Sequence, residues 1–235
     1  TVLLDKNRLQ DAERLISKYP GSSPDLVFQQ GALAFLKKDY SLAQKLFREA
    51  ARRASETTAE NALFNENLAA LNANDASGAA ALIKEAADSS RLRESILFEQ
   101  AHYAAKRMAP QAAELLANFI TLAETPALKT QARLDQAEVA LNLNPPDLET
   151  VQAILPLLEK EQLSPEQTMQ LARLNILEEE SRQEWPSAIQ SCRRAIALDS
   201  EGKQADMLYL KLGELLYKNG DFHEAQLVLQ HFPSK

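Results

Sequence analysis

The chain has 235 residues, 45% of them hydrophobic and 6% aromatic, and carries a formal net charge of −7. That charge and a pI near 5.2 exclude the broad basic face that phosphate contacts on nucleic acid require. No apolar run approaches the roughly 20 residues that span a bilayer, which argues against membrane insertion, and the single cysteine, Cys192, leaves no intrachain disulfide.

Ala, Leu, Gln, Glu and Lys dominate, glycine occurs only six times, and no stretch alternates polar and apolar long enough to argue a strand. The chain reads as all-α. In chain order, the apolar periodicity and its breaks predict thirteen helices over 5–18, 24–37, 40–54, 58–73, 75–88, 91–106, 109–122, 126–142, 147–160, 164–181, 184–198, 202–218 and 221–231. Prolines mark the joints. Ser23-Pro24 and Thr125-Pro126 read as an N-cap followed by Pro at the first helical position, where its missing N–H costs nothing. Ser164-Pro165-Glu166-Gln167 adds a residue able to complete a capping box. Asn144-Pro145-Pro146 lengthens one turn, and Pro156 falls inside a helix, removing a backbone hydrogen bond and kinking it. The start at Thr1, without initiator Met or signal-like segment, reads as a mature product or a piece of a larger protein.

After the first helix the others pair as six hairpins, the first being the second half of a truncated pair. Each second helix places a small residue where its partner must approach closely: Ala12, Ala43, Ala79, Ala112, Thr150 or Val151, Ala188 and Ala225. Two segments are nearly alike. Gly31 is followed by Phe35, Lys38-Asp39-Tyr40, Ala43 and Phe47, and Gly213 by Leu216-Tyr217, Gly220-Asp221-Phe222, Ala225 and Leu229. Elsewhere the glycine position holds Asn67, Gln100, Glu138 or Ile176. Glycine, an acidic-aromatic turn, then a small residue twelve places on resembles the tetratricopeptide (TPR) family, whose repeat is 34 residues long. The likeness is strong over 24–54 and 206–231, good over 184–200 and weak over 126–160, and the proline that closes each family repeat is replaced, for instance by Ser55 and Ser200.

The resemblance implies a right-handed α-solenoid of about six hairpins plus an N-terminal half-repeat, forming one domain over 1–235. It also implies a non-enzymatic scaffold that binds a peptide or protein in the groove lined by the first helices, with bacterial cell-envelope assembly favoured over a cytoplasmic adaptor role. A peptide-sensing domain of a larger regulator or enzyme is the alternative. Carried over by position, the groove receives Phe28, Phe35, Leu36, Phe64, Leu68, Leu71 and Leu97 at an apolar end, and Arg173, Leu177, Glu180, Leu210, Glu214 and Tyr217 at a charged end. Arg173 and Tyr217 are the principal candidates there. Several aromatics could equally close the core between hairpins. The carboxylate clamp of chaperone-binding TPR domains is not matched, because Phe28 and Ala32 stand where cationic and polar clamp residues would be.

Chemistry finds little support. His102, His223 and His231 are isolated, whereas a stable metal site needs three or four converging ligands. Cys192 shares a helix face with Ala188 and Ala195 and has no neighbouring histidine to activate it, which predicts a packing role. Glu178-Glu179-Glu180 point about 100° apart in turn on a helix, and Arg52-Arg53 and Arg193-Arg194 read as solvated faces. No phosphate loop or hydrolase motif occurs, so no catalytic, cofactor or metal residues are assigned.

Overall fold

The computed structural model describes residues 8–18, 23–199 and 201–230, and among them every regular element is helical. The elements are α1 (Leu9–Ser17), α2 (Pro24–Leu36), α3 (Tyr40–Arg53), α4 (Glu56–Asn72), α5 (Ala76–Glu85), α6 (Ser90–Lys106), α7 (Ala112–Leu122), α8 (Pro126–Leu141), α9 (Leu148–Leu158), α10 (Pro165–Ser181), α11 (Trp185–Leu198), α12 (Ala205–Asn219) and α13 (Phe222–Gln230). Their number and order are those the periodicity predicts, and the differences lie at the ends. A 3-10 segment, Ala86–Asp88, closes α5, while α7 and α12 each begin three residues later than expected. Residues 5–7 of the first predicted helix, Ser200 and His231 lie outside the described residues.

Start signals act through side chains that accept orphan N–H groups. Ser23 Oγ accepts from Leu26, and Ser164 with Gln167 forms the reciprocal capping box at 3.2 and 3.1 Å. Thr125 occupies its N-cap position without a side-chain cap bond. Pro156 lies inside α9, two residues before its end, and lacks the N–H that a residue there donates four residues back.

One turn recurs between paired helices. Lys38, Asn74, Met108, Gln183 and Gly220 all adopt positive φ, between 50° and 91°. The residue that follows each of them donates its N–H five residues back, as from Asp39 to Ala34, Asp75 to Ala70, Ala109 to Ala104, Glu184 to Glu179 and Asp221 to Leu216. This is the left-handed helix end that captures orphan carbonyls, here built mostly without glycine. In four of the five the following residue then starts the next helix, its carbonyl accepting four residues on from Ala43, Ala79, Ala188 or Ala225, whereas Ala109 accepts from Ala112 three residues on and α7 begins only there. In the lengthened turn Asp147 still donates to Ala140, now seven residues back, and accepts from Val151. Val151, fully buried, thus fills the small-residue slot, and Thr150 instead bonds the Asp147 cap.

Contacts divide the chain into two compact units, Thr1–Tyr103 and Ala104–Lys235, each with its own core. In the first, consecutive helices from α1 to α5 pack on one another and α2 also touches α4. Phe47 is the plug. It is fully buried among Ala34, Ala43 and Ala69, and a Cβ on Gly31 would stand 2.9 Å from its ring. In the second, α7 to α13 pack in sequence and α8 also touches α10. Leu134, Val151, Leu158, Leu171 and Leu174 form one of its clusters, and Ile176, Ala188, Cys192, Leu215, Leu216 and Ala225 another. Here Leu229, itself exposed, lies 2.6 Å from where a Gly213 Cβ would be.

Substituting Gly213 by Leu therefore overpacks α12 against α13, at a cost of about 1–3 kcal/mol. The expected result is lost helicity and proteolytic cleavage confined to Phe222–Gln230, and pairing Gly213→Ala with Leu229→Ala should restore protection. Unchanged digestion of Gly213→Leu would contradict this packing.

The first unit also buries charge. Arg48 on α3 pairs with Glu66 on α4 at 2.8 Å and with Glu85 at the end of α5. Glu66 is 7% exposed and its Oε2 has no hydrogen-bond partner. Burial pushes its carboxyl up to about 7, against the opposing pull of Arg48. A carboxyl raised on folding contributes stability that is complete below its ordinary range and is lost as pH rises through about 7. Thermal melts at pH 5 and pH 7.5 should show the wild type losing on the order of 1–2 kcal/mol more than Glu66→Gln across that interval. Parallel pH profiles for the two proteins would remove Glu66 as the cause.

Candidate functional site

Of the residues expected at the apolar end, six are half-buried and Leu36 is exposed. The Phe28 ring meets Phe47 edge-on at 5.3 Å, Phe35 meets Tyr40 in the same way at 5.3 Å, and Phe64 packs on the cluster of Leu82, Leu92 and Ile96. Leu68, Leu71 and Leu97 are half-buried, and Leu36 is exposed. Each of these three rings is half-buried and has packing neighbours within the first unit.

The charged end, in the second unit, is different. Arg173 and Leu177 on α10 lie one helical turn apart and share a face, as do Met207, Leu210, Lys211 and Glu214 on α12. Between them opens a depression of about 250 Å³ with an apolar floor of Ile176, Leu177, Met207, Leu208 and Leu210 and a rim of Arg173, Lys211 and Glu214. A second depression of about 240 Å³ shares Arg173 and Leu177 as its wall and is more polar, with Lys106, Glu138, Glu166, Gln170 and Gln204 around it. Four of the six positions expected at this end therefore line one concavity. Met207 and Lys211, also on its surface, were not singled out because neither interrupts the repeat pattern.

Glu180 lies beyond the rim as an electrostatic hub. Lys211 and Lys218 each approach it at 2.6 Å, and Lys218 stands 5.4 Å from the Trp185 ring centroid. Burial opposes its charge, but the two lysines outweigh that and hold the carboxyl below its usual range. Lys211 also reaches Glu214 at 3.6 Å, so its charge is divided between two carboxylates. Lys106 is similarly engaged by Glu138 at 3.3 Å. Tyr217 is 66% exposed and leans edge-on against Phe222 at 5.2 Å, outside the residues that line the depression.

Under the floor, Cys192 is fully buried and its thiol contacts the Leu208 carbonyl at 3.3 Å. Burial pushes the thiol up to about 11, with Lys211 pulling weakly the other way. His102 stacks on Phe98 at 5.4 Å. Among the described residues no three His, Cys, Asp or Glu side chains are placed to hold a metal ion, and no helix is long and apolar enough to cross a membrane. The arrangement offers shape, apolar surface and fixed charge to a ligand.

Iodoacetamide should label Cys192 in the native chain about a hundredfold more slowly than in urea, because thiolate is scarce and access is closed. Comparable rates in both would overturn its packing role. Compared with known proteins, the chain matches no family model, no curated protein and no solved structure.

Proposed function

We propose that the chain is a TPR-like α-solenoid acting as a non-enzymatic protein–protein interaction scaffold, with a peptide or protein partner held on the α10–α12 face. The observation that carries this reading is the open depression between these two helices, apolar at the floor and charged at the rim. Met207 and Leu210 are 43% and 49% exposed within it, which is costly surface to leave in water and useful surface to cover. The recurrent turn and buried small residue support stacked helical repeats, as do the contacts of α2 with α4 and of α8 with α10, since solenoids stack corresponding helices of successive units. Binding energy in such a scaffold comes from a row of contacts along a preformed surface. A place in bacterial cell-envelope assembly belongs to this proposal through the family resemblance alone.

A photo-cross-linking amino acid at Leu210, in cells of the source organism, should trap a protein partner that the same group at exposed Glu201 does not. The double substitution Met207→Asp and Leu210→Asp should keep the circular dichroism spectrum and lower capture by the same cross-linker placed at Glu214 at least about tenfold, equivalent to about 1.4 kcal/mol. Equal trapping at Leu210 and Glu201, or capture indifferent to the double substitution, would defeat the proposal.

A further inference from the structure

Resting on the interaction reading above, we infer that the partner segment is a peptide in which an acidic residue sits beside a large apolar one, the carboxylate taken by Arg173 and the apolar side chain by the Leu177–Leu210 depression. The charges around the two depressions are not equivalent. Lys211 is divided between Glu180 and Glu214, and Lys106 is engaged by Glu138, so neither cation has much charge left to offer. Arg173 is exposed and has neither an ion pair nor a hydrogen bond with any described residue. It is also the one cation that lines both depressions.

Of the carboxylates nearby, Glu138 accepts from Lys106 and from Gln170 at 3.1 Å, Glu214 faces Lys211, and Glu166 accepts from the Ser164 hydroxyl at 3.1 Å. A basic ligand residue would have to compete for these. An acidic one meets a guanidinium whose five donors are unspent and whose planar fork suits a carboxylate. Arg173 lies one helical turn from Leu177, so both seats fall within the reach of neighbouring residues of one peptide. Nucleic acid offers anions too, but tracking a phosphate backbone needs a row of cations, and of the three cations lining these depressions Arg173 alone is unengaged, on a chain of net charge −7.

The test is a random-peptide display library selected on the full chain and, in parallel, on Arg173→Glu and on Met207→Asp/Leu210→Asp. Wild-type selections should be enriched in Asp or Glu adjoining Leu, Ile, Phe or Met. A synthetic peptide from that set should bind Arg173→Glu about tenfold more weakly or worse, and its wild-type binding should weaken with added salt, as expected for a rim charge. Arg173→Lys should recover part of the affinity. Peptides lost on Met207→Asp/Leu210→Asp but retained on Arg173→Glu, or enriched in basic residues, would overturn the acidic assignment while leaving the interaction reading standing. Absence of any peptide enrichment, or displacement of the peptide by a single-stranded oligonucleotide at equal concentration, would overturn both.

Discussion

The bond between a helix-starting carbonyl and the N–H of a small residue fixes how each pair of helices meets. A left-handed residue reverses the chain, the next residue closes the old helix with its N–H and in four of five turns opens the new one with its carbonyl, and the side chain that follows is a buried Ala in all five. With Ala43, Ala79, Ala112, Ala188 and Ala225 all buried there, the partner helix can come near enough for Phe47 or Leu229 to fill the space over a glycine. Close packing of this kind leaves little room for volume changes.

Both units enclose polar groups, Glu66 and Asn67 in the first and Thr130, Asp135 and Glu178 in the second. In the first, Arg48, Glu66 and Glu85 tie three helices together, and Gln100 donates to both the Asn67 side chain and the Ala79 carbonyl in the middle of the packing. Buried polar groups that have found partners specify which helix faces which, at some cost where an atom such as Glu66 Oε2 stays unpaired. In the second unit Arg173 and Glu214 line the depression, where solvent screens them and a ligand can reach them.

The helices were almost wholly legible in the sequence, because apolar periodicity and prolines act locally. Asp147 shows the limit: its place as helix start was readable, but only the backbone geometry assigns Val151, not Thr150, to the crossing. The site was legible in part. Position in the repeat pointed to Arg173, Leu177, Leu210 and Glu214, whereas Phe28, Phe35 and Phe64 have partners from other helices that no local pattern reveals. Exposure of an aromatic depends on what packs across from it, and that information is spread over the chain.

The left-handed seats have one more consequence. Gly220 fills one of five at no steric cost, while Lys38, Asn74, Met108 and Gln183 hold the same backbone shape with a Cβ that resists it. Each of these four is exposed, touching neither core nor depression, and stores up to about 1 kcal/mol of local strain. The array thus keeps a reserve of stability distributed among its corners, which drift in those four letters can draw on or deplete without altering the shape of the surface it presents.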